Sequence, residues 1–376
     1  MPNLPTNLPT VRLLNDFRTL RDALPALASP AGSDLFSTLD WFDNLATHGL
    51  PDSIRLCLAV LGDGPDACCL PLASGMPSSE FSDSALLGLS NYYSCLFGPL
   101  GNTAAHGEAA WRALFRTLRE ARAGWPLISL QPLDPTSAFF TQARAALAAE
   151  GYWTDSYFCF GNWYLDVAGR DYAAYFAGLP GQLRSNIERG RRKLDRAGSW
   201  QLRILAAPGD GLEQAIADFH AVYRQSWKRP EPFPGFIPGL CRMAAAHGWL
   251  RLGVLTYREQ PIASQIWFVK EGRALIYKLA YDQSHPRLSA GTVLSAAMMR
   301  HVIDADRVHE VDYLSGDDEY KRDWMSHRRE RYGIVAYDPA TVRGLLAGLR
   351  HFAGKLGKWA FAATRKNSAV THPAIG

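Results

Sequence analysis

No run of roughly eighteen apolar residues occurs in this chain, so no segment of it reads as a membrane-spanning helix. Its start, "MPNLPTNLPTVRLLNDF", sets no basic flank before an apolar stretch, and a secretory leader is not expected. The cysteines Cys57, Cys68, Cys69, Cys95, Cys159 and Cys241 include no CxxC pair, and no His/Cys cluster has zinc-ligand spacing. Most lie in apolar runs, where cysteine behaves as a small hydrophobe. Reduced thiols in a cytoplasmic protein, with no metal, are therefore expected. A net charge of +4 permits an anionic ligand but gives no argument for DNA. What is present is globular in composition, 47% hydrophobic and 20% charged, and 376 residues exceed one ordinary core.

The hydrophobic pattern is that of a mixed α/β (α+β) sheet. Residues 54–61 and 67–73 read as strands around the turn "GDGPD", followed by a turn-rich stretch and "NYYSCLFGPL". Helical periodicity covers Glu108 to Ala123 and Ser137 to Glu150, with the buried strand "WPLISLQPLD" between them and the aromatic run "GYWTDSYFCFGNWYLDV" after. From Asp171 a similar order begins again. Helical segments at 171–197 and 212–227 precede the Pro-rich loop "KRPEPFPGFIP", then strands "WLRLGVLTY", "PIASQIWFV" and "ALIYKLAYD". A helix, the strand "VHEVDYL", the short helix "SGDDEYKRDW" and the strand "RYGIVAYDP" complete the second pass. Two related domains, 1–168 and 169–338, with a basic amphipathic tail at 339–376, are the expected organisation.

The segment "SHPRLSAGTVLSAAMMRHVID" opens a helix with small residues and one arginine. A helix N-terminus leaves N–H groups unpaired and carries partial positive charge, so it can hold a phosphate. Ser289, Ala290 and Gly291 would let a phosphate approach closely, and Arg287 offers forked donors suited to pyrophosphate. Ser and Gly are equally common in plain helix caps, so these residues alone leave cap and cradle both open.

The surrounding order settles on a family resemblance. Ser289-Ala290-Gly291, then Asp312, then Gly316-Asp317, Tyr320-Lys321 and Trp324 follow in the order seen in the FemAB/BioF2-like (CelD-type) branch of the GCN5-related N-acetyltransferase (GNAT) superfamily. The helix "LPGQLRSNIERGRRKLDRAG" is similar to the Arg/Asn-rich helix opening the second domain of that branch. The resemblance covers residues 170–335 well and the first half loosely. The general superfamily loop is Arg/Gln-x-x-Gly-x-Gly/Ala; here alanine (Ala290) replaces its first glycine.

The resemblance implies two tandem GNAT-like domains, the second binding the acyl donor through Arg287, Leu288, Ser289, Ala290, Gly291 and Thr292. It implies transfer of an acyl group from acyl-CoA, or from acyl-carrier protein, to an amine or a saccharide precursor held between the domains. Asp312 at a strand end is then the first candidate base, against a turn-capping role. Lys321 is the candidate for the oxyanion or an acceptor phosphate, with Tyr281 and Asp282 as proton relay or acceptor contacts. His285 is a weaker candidate base, more readily read as a surface histidine. An aminoacyl-tRNA donor and a non-catalytic recruiting module are the alternative readings.

Two basic segments stand apart. Around the apolar face Leu183, Ile187 and Leu194 lie Arg184, Arg189, Arg191, Arg192, Lys193 and Arg196, either a solvated face or a phosphate contact. After Asp338 no acid occurs, while Arg343, Arg350, Lys355, Lys358, Arg365 and Lys366 accompany an apolar stripe. Residues 340–366 thus suit a peripheral membrane or acidic-protein contact at the inner membrane face.

Overall fold

The computed structural model describes residues 9–28, 34–75, 84–121 and 125–370, with side chains described as far as residue 357. Residues 1–8, residues 371–376 of the tail, and the side chains of Lys358, Trp359, Arg365 and Lys366 lie outside that description.

The first half runs β1 (Val11–Leu14), α1 (Phe17–Ala23), α2 (Leu39–His48), β2 (Arg55–Leu61), β3 (Cys68–Ser74), β4 (Ala85–Gly88), β5 (Leu100–Gly101), α3 (Glu108–Glu120), β6 (Leu127–Leu133), α4 (Ala138–Ala149) and β7 (Trp153–Asp166). The second half runs α5 (Tyr172–Ala177), α6 (Gly181–Ala197), β8 (Trp200–Leu205), α7 (Leu212–Arg224), α8 (Phe236–Ala246), β9 (Leu250–Tyr257), β10 (Gln260–Lys270), β11 (Arg273–Tyr281), α9 (Ala290–Arg300), β12 (Glu310–Asp312), α10 (Glu319–Trp324) and β13 (His327–Tyr337). Helix α11 (Val342–Val370) follows.

Local chemistry accounts for many of these boundaries. Thr38, Ser137 and Asp171 cap α2, α4 and α5 by accepting from Trp41, Phe140 and Ala174 backbone N–H groups. Helix α3 buries Ala110, Trp111, Leu114, Phe115 and Leu118, which share one face at 3.6 residues per turn. Strand β3 is buried on both faces, as its unbroken apolar run requires. The segment 171–197, read as one helical stretch, is two helices with a break at Gly178–Pro180.

All the strands join in one sheet ordered β1-β2-β3-β4-β6-β13-β7-β12-β11-β10-β9-β8, with β5 beside β3. The order is nearly palindromic. Each half contributes an antiparallel run that ends in one parallel pair, β4 with β6 and β11 with β12. The closing strands then change places: β13 lies on β6, β7 lies on β12, and the two pair with each other from His327↔Tyr164 to Tyr337↔Trp153. The halves thus repeat one strand arrangement, each completed by the other's last strand. The main core also crosses between them, with Trp41 of α2 packed edge-on against Phe236 of α8 at 5.6 Å. A second core lies under α6 and α9 and includes Trp267, Leu294 and Met298.

Candidate active site

Strands β11 and β12 pair only over Arg273–Leu275 and Glu310–Asp312. Beyond that point β11 continues to Tyr281 while β12 has ended, so the sheet opens as a wedge. The wedge leads into a cavity of about 1240 Å³ lined by residues of both halves.

One wall of the cavity is the start of α9. Ser289 holds a left-handed conformation (φ 54°, ψ 36°), and no side chain caps the helix. The first helical hydrogen bond there runs from Val293 N to Ser289 O, which leaves the preceding first-turn N–H groups outside the helical ladder. Ser289, Ala290, Gly291 and Thr292 all line the cavity. Small residues matter twice at this spot. A Cβ on Gly291 would sit 3.0 Å from the Tyr281 ring, and one on Gly190 of α6 would sit 2.9 Å from Val293. Glycine at 190 lets the Arg-rich helix α6 lie against the start of α9.

Tyr281 and Asp282 close the far end of β11 and line the cavity, with the Tyr281 ring 4.7 Å from that of Trp227. Asp282 accepts from Ser284 N at 2.8 Å and pairs with His285 at 3.2 Å. Burial alone would raise its pKa, but these hydrogen bonds hold it below the usual carboxylate value. Lys321 also lines the cavity, with its ammonium already committed. It donates to Ser315 O at 2.6 Å and Gly316 O at 3.3 Å, and pairs with Asp318 at 3.1 Å. It therefore ties down the turn after β12.

Three of the sequence candidates are placed elsewhere. Arg287 is exposed and Leu288 packs against the second core, and neither lines the cavity. Asp312, read from sequence as the base, is only 1% exposed and is also absent from the lining. Its carboxylate accepts from Asn162 Nδ2 at 2.5 Å, Leu314 N at 2.6 Å, Arg273 at 3.4 Å and Arg329. Four donors fill its acceptor positions. Its bonds brace β7, β12, β11 and β13 and fit the turn-capping alternative better than the role of a base.

A second polar group in the cavity was missed by sequence reasoning. Lys278 on β11 donates to Glu231 Oε1 at 2.9 Å and to Tyr92 Oη at 2.6 Å, while Tyr92 Oη donates to Glu231 Oε2 at 2.9 Å. Tyr92 comes from the first half, so this triad fastens the two halves at the cavity. Beside it Lys228 makes no hydrogen bond through its ammonium to any described residue. It lies 5.8 Å from the Tyr223 ring and 5.7 Å from that of Trp227. Burial, helped by the charge of Lys278, lowers its pKa to about 8. A lysine in an apolar Trp-Lys-Arg-Pro context is the one signal the sequence offered, and it reads as a loop.

Residues 181–322 match the family model described as an acetyltransferase (GNAT) domain. Among solved structures, FemX superposes with a TM-score of 0.58 at 10% identity, over 87% of this chain and 97% of that chain. A conserved protein of unknown function from Bacteroides thetaiotaomicron VPI-5482 superposes with a TM-score of 0.50 at 11% identity, over 87% and 100%. No curated protein matches the sequence significantly. The splayed parallel pair and the open helix start both lie within the span that resembles a GNAT acetyltransferase domain. Over 87% of its length the chain shares the fold of FemX.

Proposed function

We propose that the protein transfers an acyl group from acyl-CoA, or from acyl-carrier protein, to an amine or a saccharide precursor by direct attack on the thioester. The observation that carries this reading is the uncapped start of α9, facing a cavity beside the splayed strands. The N–H groups there would hold donor phosphates. The acceptor would lie toward Tyr281, Asp282 and the Tyr92–Glu231–Lys278 triad. Its nitrogen forms the C–N bond, the C–S bond breaks, and the departing thiolate takes up a proton. The nitrogen's own proton passes to neutral Lys228, which we assign as the base, while Lys321 and Asp312 position the turn between them. The same proposal places the protein in the cytoplasm and divides it at residues 168 and 338.

Thermal unfolding with acetyl-CoA, a long-chain acyl-CoA and free CoA tests the donor. A ligand at a hundredfold above its dissociation constant stabilises the native state by about 2.7 kcal/mol. One of the three is expected to raise the midpoint, and Gly291→Val, which crowds Tyr281, to abolish the rise. No rise with any of them would remove CoA as the donor and leave carrier-protein or tRNA donors.

Base catalysis by Lys228 has its own signature. With a pKa of about 8, the amine becomes competent as pH rises through that value. The rate is expected to climb correspondingly, and Lys228→Met to lose about two orders of magnitude together with that limb. An unchanged profile in Lys228→Met would assign the proton elsewhere.

A second reading, an aminoacyl-tRNA donor, is favoured by one observation. Arg189, Arg191, Arg192, Lys193 and Arg196 are exposed on α6, which packs against the donor loop through Gly190. Activity that survives ribonuclease treatment would exclude it.

A further inference from the structure

We propose that α11 lies on an anionic lipid bilayer and holds the protein to it as a peripheral, interfacial helix. Of the large hydrophobic side chains exposed among the described residues, Val342, Leu345, Leu346, Leu349 and Leu356 all belong to this one helix. They are 76%, 36%, 61%, 51% and 67% exposed. Their spacing of three, four and seven residues places them along one stripe, so the exposure is continuous along the helix.

The stripe is not the face by which the helix docks on its own sheet. That face is made of glycines, Ala347, His351, Phe352 and Lys355. A Cβ on Gly344 would sit 2.2 Å from Asp338 O, and one on Gly348 would sit 2.8 Å from the Trp153 ring. His351 and Lys355 reach Asp155 of β7 at 2.7 and 2.6 Å, and Phe352 packs edge-on against Trp153 at 6.3 Å. The glycine face is thus fixed on β7 and β13, and the leucine stripe is held outward. Trp153, itself 37% exposed, stands beside it, and tryptophan favours the boundary between headgroups and acyl chains.

Charge selects the occupant. The chain carries no acidic residue after Asp338, but it carries Arg343, Arg350, Lys355, Lys358, Arg365 and Lys366. Lys355 is spent on Asp155, yet the segment remains uniformly basic. An apolar stripe with a basic, acid-free background matches an anionic bilayer, where leucines enter the acyl boundary and the cations meet headgroups. No helix of the described residues is long and apolar enough to cross a membrane, so the contact is one of lying on the surface.

The test is co-sedimentation of the full chain with vesicles of phosphatidylcholine alone and of phosphatidylcholine with phosphatidylglycerol. At least tenfold more protein is expected to pellet with the anionic vesicles, with the excess lost at high salt. The double variant Leu346→Asp, Leu349→Asp is expected to lose that pelleting while keeping the wild-type melting midpoint, since both side chains are exposed. No pelleting with anionic vesicles, or equal pelleting of the variant, would overturn the proposal. So would a lipid-free dimer in sedimentation velocity that the double variant dissolves, which would assign the stripe to a second copy of the chain.

Discussion

Asp312→Ala is expected to lower the unfolding free energy by about 3–5 kcal/mol, read as a fall in the urea midpoint. The carboxylate is almost fully enclosed, and its removal takes one anionic partner from each of two part-buried guanidinium groups, Arg273 and Arg329. Burial works against both arginines. Asp34, Glu310 and Asp312 together reverse that effect at Arg273, and Asp312 leads the reversal at Arg329. Glu310 and Asp34 still hold Arg273 at 2.9 and 2.6 Å after the substitution, but nothing replaces the central acceptor. Asn162 and Leu314 N lose their acceptor as well, and each buried donor left unpaired adds to the loss. Asp312→Asn, which keeps the shape but not the charge, is expected to fall between. The outcome separates two roles for this residue. A wild-type midpoint with lost turnover would restore Asp312 as a base; a lowered midpoint identifies the strut.

Breaking the Glu231–Lys278 pair is expected to have a comparable effect, about 3–5 kcal/mol for Glu231→Ala, because it leaves an ammonium in the cavity wall with only a phenol as partner. The two side chains are 5% and 10% exposed, so water does not substitute for the lost carboxylate. The pH dependence carries a definite sign. Burial would raise the pKa of Glu231, but Lys278 and the surrounding hydroxyls bring it below its ordinary value. Its stabilising contribution is therefore full above about pH 4.3, the ordinary glutamate value. It is lost as pH falls through the lower folded value, an acid limb that Glu231→Gln should lack. The same change acts on catalysis. Glu231 raises the pKa of Lys228, so Glu231→Gln is expected to move the rising limb of the rate from about 8 to lower pH.

Much of the second half was legible because period and composition agreed there. The strands at 249–257, 261–269 and 274–282 appear as β9, β10 and β11, and the helix after Pro286 appears as α9. Helix α8 was not read at all. Its start lies inside "KRPEPFPGFIP", and Pro238 falls in the first turn, where a missing N–H costs nothing. In the first half α1, α2 and β4 went unread, because short elements between turn residues give little periodicity. Strand β12 is shorter than the run "VHEVDYL", since pairing stops where the wedge opens. Strand β13 begins earlier than "RYGIVAYDP", because the charged residues of "HRRE" include an arginine that turns inward to Asp312 and Glu310. The small-residue start of α9 was legible because small residues at a helix start carry a local signature. Lys228, Glu231, Lys278 and Tyr92 were not, since they come from separate segments that meet only in the folded chain. For Asp312 the choice between base and turn cap stayed open for the same reason: its arginines stand on β11 and β13.

The exchange of closing strands sets an order of events during synthesis. Strand β6 leaves the ribosome early, yet its neighbour β13 is among the last of the sheet to emerge. Until then the first half presents an unpaired apolar edge, and β7 waits for both β12 and β13. The nascent chain cannot finish one half and then start the other, as tandem domains commonly do. It must hold an incomplete sheet in readiness until Tyr337 has been made, and both halves then close together.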